Sequence, residues 1–327
     1  MSKVNTVTGQ IDITQLGRTL VHEHLLFGFP GWCSDTTIGA LDFDWAVRYL
    51  SDEVRKGKAN GVNSIVDATP NECDRNPLLM KAVAEEAEVN VICATGYYFE
   101  DVSTAAYWHR HEKFGIDIVE ELYEMFVKEI EQGIGNTGIK AGVIKVATGD
   151  GKFTDFERKI FLAAAKAQKE TMVPIITHTT GGTMGPEQAE FLIEQGVRAD
   201  KIQIGHMCSC RSLEEHERLL KTGAFDAFDT CGEENNGGTP SDIERADMIA
   251  KLVERGYANQ LLISHDYVAL ESGRSVLKQK KAHPVYMDMG FDRIDRVVLP
   301  ALEKRGVTRA QFDAISINNP SRLFEVK

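Results

Sequence analysis

The sequence predicts an α/β fold, a (β/α)8 TIM barrel with a short N-terminal hairpin, on three observations. Eight short runs rich in Val, Ile and Leu recur along the 327 residues. Each is followed by a longer charged stretch with apolar residues at three- and four-residue steps, the spacing of one helix face. No linker rich in Pro, Gly or Ser divides the chain, so residues 1–327 read as a single domain. The runs are LVHEH (20–24), SIVDAT (64–69), VNVICATG (89–96), AGVIKVA (141–147), VPIITHT (173–179), KIQIGHM (201–207), AFDAFDT (224–230) and LLISHD (261–266). They lie far enough apart for a crossover helix, which parallel neighbours require.

The stretches between them fit helices: WAVRYLSDEVRKGKANG, VEELYEMFVKEIEQG, FERKIFLAAAKAQKE, SLEEHERLLKTG and IERADMIAKLVERG, several ending at a helix-stopping glycine. A doubly wound open sheet is the alternative, but its first strand runs into a glycine-rich dinucleotide turn, and here the first run ends in His-Glu-His. The opening VNTVTGQIDITQLG alternates like a small hairpin and is expected to cap the barrel's N-terminal end. Two connections read as long: the aromatic-rich segment after Gly96 and the one after Asp266. In a βα barrel both leave the C-terminal face, where substrates bind.

Composition mostly excludes. A net charge of −12, from 37 Lys and Arg against 49 Asp and Glu, argues against binding duplex nucleic acid, which requires phosphate neutralisation. No apolar run reaches the roughly 18–20 residues of a membrane span, and the N-terminus has no apolar core of a signal peptide. The expectation is a soluble, cytoplasmic protein with neither nucleic acid nor membrane as partner. The six scattered cysteines do not suggest a disulfide framework.

Five of the eight runs carry a metal-capable or ionisable residue near their C-terminal ends: His22 and His24, Lys145, His178, His206 and Asp266. Alternation along a strand puts His22 and His24 on one face and Glu23 on the other, and groups Val143, Lys145 and Ala147. A lysine in so apolar a run buries an ammonium at a cost that something must offset. A two-metal site satisfies these residue types: imidazoles and a carboxylate are good ligands for Zn²⁺ and similar ions, while an ammonium offers no lone pair. Carboxylated by CO₂, Lys145 would present two anionic oxygens able to bridge two ions about 3.5–4 Å apart. The ion type is left open among Zn, Co, Mn and Fe.

Other residues read more simply. Cys208 and Cys210 are expected to be small thiols lining the barrel mouth. His109 and His111 fall in the charged, aromatic segment, at the surface or on the substrate side. His216, beside Glu214, Glu215 and Glu217, is expected on a solvated helix face. The GGTMG run (181–185) reads as a loop, and His283 as loop punctuation.

As a set, the pieces GRTLVHEHL, ANGVNSIVDAT, VICATGYYF, GIKAGVIKVAT, VPIITHT, IQIGH, LLISHD and INNPSRLF resemble the phosphotriesterase family of the amidohydrolase superfamily, which includes the phosphotriesterase-like lactonases. The resemblance runs nearly the whole chain. It implies that His22, His24 and Asp266 hold the more buried ion and His178 and His206 the more exposed one. Carboxylated Lys145 would bridge the two ions together with a hydroxide. It also implies a place for Tyr98 close to the metals and, from related barrels, a homodimer. Two departures bear on substrate choice. Ser209 stands where the family tends to place an aspartate after the strand-six histidine, and Thr230 where it tends to place a basic residue after the strand-seven aspartate.

The function expected from this resemblance is metal-assisted hydrolysis of a lactone, an acyl-homoserine or sugar lactone, with weak organophosphate hydrolysis alongside. Asp266 would take up and pass on the proton, and Tyr98 would orient the carbonyl. Thr230 and Arg274 are the further candidates for contact with substrate. Arg274, with Lys278, Lys280 and Lys281, is either a recognition site for an anionic substituent or a solvated basic segment. The alternatives are a phosphotriesterase (aryldialkylphosphatase) or aryl esterase and, in another class, an inactive ligand-binding barrel.

Overall fold

A computed structural model describes residues 2–34, 37, 40–234, 238–273 and 288–326. Strands β1 (Lys3–Thr6) and β2 (Gly9–Asp12) form the antiparallel N-terminal hairpin. The eight apolar runs then appear as β3 (Arg18–Phe27), β4 (Val62–Asp67), β5 (Asn90–Gly96), β6 (Val143–Thr148), β7 (Ile175–Thr179), β8 (Ile202–Ile204), β9 (Phe225–Phe228) and β10 (Leu261–Ile263). They pair in parallel and in chain order. Beyond β10 the same stretch continues as β11 (Val268–Glu271), which pairs with β3 while β10 pairs with β9. One segment thereby touches both ends of the sheet and closes the (β/α)8 barrel.

Hydrogen bonds secure that closure. The Asp266 N–H donates to the His22 carbonyl at 3.0 Å and the His24 N–H to the Tyr267 carbonyl at 3.1 Å. Glu23, fully buried on the outer face of β3, accepts from Ser264 Oγ at 2.7 Å, His265 N at 3.0 Å and Tyr267 N at 2.9 Å, and lies 2.7 Å from His265 Nδ1. A buried carboxylate is tolerated only with such partners, and here every one of them belongs to the chain that closes the ring.

Helices cover the strands, and their starts are written in sequence. In α1 (Phe43–Ala59) Asp42 caps the first turn; in α5 (Asp155–Thr171) and α8 (Asp242–Glu254) the pairs Thr154/Glu157 and Ser241/Glu244 form reciprocal capping boxes. The aromatic segment after Gly96, expected as a long connection, contains a helix of its own, α3 (Ala105–Lys113), with Trp108 buried edge-on against Tyr97. The layer also includes α2 (Pro77–Ala87), α4 (Ile118–Glu131), α6 (Gly185–Glu194), α7 (Leu213–Lys221) and, beside α8, the helix Leu299–Glu303.

Two apolar clusters separate inside from outside. Val21, Val66, Ile92, Val143, Ile176, Phe225, Ala227 and Leu262 fill the barrel interior, floored by Leu323 and Phe324 from the terminal INNPSRLF piece. Ile65, Val91, Ile144, Val146, Ile204 and Phe228 face the helices. The hairpin closes the N-terminal end as expected: Val7 N donates to Val91 O at 2.9 Å and Asn5 Nδ2 to Ala141 O at 2.9 Å.

In β3 the alternation is interrupted. Leu20 pairs with Ile65 but Glu23 pairs with Asp67, leaving one extra residue on β3. This β-bulge lets Val21 join the interior cluster while His22 and His24, just above it, also face inward. The two histidines share a face, as strand periodicity requires, but the bulge decides which face.

His216 corrects the expectation of a solvated residue. It is fully buried, with Nδ1 2.6 Å from Asp226 Oδ2 and Nε2 3.1 Å from the Cys210 carbonyl. It lies one helical turn from buried Leu219 and Leu220, and that three- and four-residue spacing outranks the neighbouring glutamates.

Candidate metal centre and cleft

At the C-terminal ends of the strands a cleft is lined by His22, His24, Lys145, His178, His206 and Asp266, with Phe27, Phe29, Pro70, Tyr98, Val268, Met289 and Glu233 around them. All six ligand candidates read from sequence therefore meet in one place. Asp266 Oδ1 is 3.1 Å from His24 Nε2 and 3.6 Å from His22 Nε2, and its Oδ2 is 3.7 Å from His206 Nε2. Ligand atoms of His22, His206 and Asp266 all lie within 4.8 Å of one another. Lys145 Nζ is 2.7 Å from His22 Nε2. The His178 ring sits 4.5 Å from that of His206, measured between centroids.

The outer nitrogens explain why the inner ones are available. His22 Nδ1 lies 2.7 Å from Asp229 Oδ2, His206 Nδ1 3.0 Å from Asp229 Oδ1, and His24 Nδ1 2.7 Å from Thr69 Oγ1. An Nδ1–H donated outward leaves Nε2 facing the middle of the cluster, the arrangement that orients metal-binding imidazoles. The donor set fits divalent ions, with His22, His24, His178, His206, Asp266 and Lys145 to hold them.

Burial draws the Lys145 ammonium down to about 8, against the pull of Asp266 and Asp229. Burial, with Lys145, also takes His22 down to about 3. For Asp266 burial acts the other way, but His206, His22 and His24 outweigh it and hold the carboxyl well below its usual range. The centre thus combines a carboxylate, an imidazole kept neutral and a lysine whose neutral amine is within reach near pH 8.

Local backbone serves the same end. His206 (φ 61°) and Asp266 (φ 52°) both adopt the left-handed region, a strain of about 1–3 kcal/mol each that clusters at functional sites. Gly205 has no room for a side chain: a Cβ there would come within 2.2 Å of the Thr177 carbonyl and 3.0 Å of Asp229 Oδ2. At Gly96 (φ 134°) a Cβ would come within 1.8 Å of the Lys145 carbonyl. That close approach lets Tyr97 N donate to Lys145 O at 3.0 Å and brings Tyr98 over the cleft, its hydroxyl 3.5 Å from His178 Nδ1.

Thr230, expected to face the substrate, does not line the cleft. It follows Phe228 on the outward side of β9, where its hydroxyl lies 3.0 Å from Arg245 Nη2 and 3.0 Å from Cys208 Sγ. Cys208 and Cys210, expected at the mouth, flank a separate depression beside α8. Arg274, with Lys278, Lys280, Lys281 and His283, lies outside the described residues. Sequence reasoning did not find Asp229 as the common support of two histidines, although AFDAFD alternates so that Phe225, Ala227 and Asp229 share the inner face. It also passed over Glu233.

Asp229→Asn is expected to weaken metal binding about 10–100-fold, the usual effect of losing an outer partner of a ligand. Chelator competition measures this, and unchanged affinity would show that the pairing does not set the imidazole orientation.

A barrel with this ligand cluster at its strand ends defines a metal-dependent hydrolase. The family model described as the phosphotriesterase family matches residues 2–324, and the chain belongs to that family. It is similar to an organophosphorus hydrolase from Deinococcus radiodurans, 40% identical with a TM-score of 0.95, covering 99% of this chain and 97% of that one. A variant of a PTE-like lactonase from the same organism is also 40% identical, with a TM-score of 0.95, covering 98% of this chain and 100% of the other. A phosphotriesterase homology protein of Escherichia coli K12 is 32% identical over 310 residues, 94% of this chain and 98% of that protein. No helix among the described residues is long and apolar enough to cross a membrane.

Proposed function

We propose that the protein is a binuclear metal-dependent lactonase. The observation that carries this reading is the combination of the Nε2 and carboxylate cluster on the cleft floor with Tyr98 and an apolar wall of Phe27, Phe29, Pro70, Val268 and Met289 above it. Two divalent ions, once bound, would supply Lewis acidity at a carbonyl oxygen and lower the pKa of water. Lys145 would join CO₂ through its neutral amine, losing one proton, and become an anionic ligand.

The chain's own groups then divide the work. Asp266, about one quarter exposed, is placed to accept a proton at a carboxylate oxygen and return it to the leaving alkoxide. Burial, with Asp266 nearby, pushes the Tyr98 phenol well above its usual range, so it remains a hydrogen-bond donor for the substrate oxygen. The aromatic wall excludes water from the scissile bond and accepts an apolar substituent.

Comparing kcat/KM for acyl-homoserine lactones, sugar lactones and paraoxon tests the reading. Lactones are expected to be the better substrates. Paraoxon better by orders of magnitude would replace this reading with that of a phosphotriesterase, in line with the organophosphorus hydrolase among the similar structures.

A further inference from the structure

Glu157 does more than cap a helix. A capping-box glutamate needs one oxygen for that task, and Oε2 serves it, accepting from Thr154 N at 2.9 Å. Glutamate is almost never fully buried without partners, yet Glu157 is fully buried. Its other oxygen, Oε1, accepts from Gly149 N at 3.1 Å and from Glu100 N at 3.2 Å. One carboxyl group thereby joins three pieces of backbone: the start of α5, the turn that follows β6 and the loop that follows β5. That last loop carries Tyr98 and Phe99, whose rings lie 4.9 Å and 5.5 Å from the His178 ring, measured between centroids. On its other side the loop is held by Glu72, which accepts from Tyr98 N at 2.8 Å. Two further ties to the α5 side, the ion pairs Asp101–Lys152 and Glu112–Lys159, are partly exposed, and such pairs contribute little.

We infer that Glu157 is a positioning residue for Tyr98: through the N–H of Glu100 it fixes the loop over the cleft, and with it the reach of the Tyr98 hydroxyl toward the substrate oxygen. The inference rests on the reading of Tyr98 as a hydrogen-bond donor to that oxygen. Such a donor accelerates a reaction only when it is held in place before charge develops. A displacement of about 1 Å can cost about 100-fold in rate. A buried acceptor shared between two loops resists that displacement better than solvated ion pairs do.

The test is a double-mutant cycle of Glu157→Gln and Tyr98→Phe in the metal-loaded protein, read on lactones, aryl esters and paraoxon. Glutamine keeps the size of the side chain but sets an NH2 group against backbone N–H donors. With Tyr98 present, Glu157→Gln is expected to lower kcat by about 10-fold and to leave KM within about 2-fold. In the Tyr98→Phe background the same change should cost less than about 2-fold. Amide exchange in residues 97–103 should quicken by about 10-fold while the later turns of α5 keep their protection. Thr154→Ala, which removes the helix cap and leaves Glu157 in place, is expected to lower the unfolding midpoint without changing kcat.

An equal loss in both Tyr98 backgrounds would mean that Glu157 only supports the fold, and unchanged kcat and loop exchange would mean that the loop is held elsewhere. Either result overturns the inference. If Glu157→Gln fails to fold, exchange in the unaltered protein decides: a Glu100 amide as fast as a free loop amide overturns the inference, and a protected one upholds it. If lactones are not turned over and another substrate is, the lactonase reading fails, while the cycle on that substrate still decides the role of Glu157. If Tyr98→Phe matches the parent on every substrate, the reading of Tyr98 fails, and loop exchange in Glu157→Gln still decides whether Glu157 holds the loop.

Discussion

Lys145→Ala is expected to lose hydrolysis and metal together: fewer than about one divalent ion per chain after metal-replete purification, and turnover at the rate of buffer. Carboxylated Lys145 would add a second anionic ligand to a cluster that otherwise offers four imidazoles and the single carboxylate of Asp266. Its amine sits 2.7 Å from His22 Nε2 with its pKa drawn down by burial to about 8, so the neutral form that reacts with CO₂ is accessible. Elemental analysis and a bicarbonate-dependent recovery of metal-stripped protein read the two halves of the claim. A Lys145→Ala protein that keeps two ions and full activity would refute the carbamate.

Glu23→Leu is expected to cost several kcal/mol of stability, because it leaves buried hydrogen-bond donors without their acceptor. The loss has an identifiable origin. The change strands Ser264 Oγ and the N–H groups of His265 and Tyr267 without an acceptor at the seam where β10 and β11 meet β3. Each orphaned buried donor costs about 1–3 kcal/mol. Equilibrium urea unfolding of the metal-free protein measures it, and a midpoint within experimental error of the parent would show that the seam is held by other contacts.

Much of this was legible in the sequence because strand periodicity and residue chemistry speak to the same positions. VIKVA shows a lysine on the face that also carries Val143 and Ala147, and in the barrel Val143 is interior while Ile144 and Val146 face the helices. His178 and His206 were readable from apolar runs that end in histidine. The β3 bulge was not, because LVHEHL reads as a regular strand and the extra residue exists only relative to the pairing with β4.

Position in space also defeated local reading at three other places. His216 sits among glutamates in sequence, yet its ring reaches Asp226 on β9, a partner that helix periodicity alone does not name. Thr230 follows the inward-facing Asp229, and one further step along the strand turns its hydroxyl toward Arg245. Glu233 lies in a polar turn where composition gives no reason to single out one carboxylate from its neighbour. Only the lining of the cleft separates them: Glu233 is part of it, whereas Glu234 pairs with Arg293.

The candidate ligands come from β3, β6, β7, the end of β8 and the bend between β10 and β11, and Asp229 holds an imidazole from the first barrel strand and one from the sixth. These groups are neighbours only across the interior of a closed barrel, so an open or partly folded sheet contains no equivalent of the site. Ion binding and ring closure are therefore two readings of one equilibrium. Any free energy of ion capture by the folded form appears as resistance to opening, and any looseness at the β10–β11 seam appears as weaker capture.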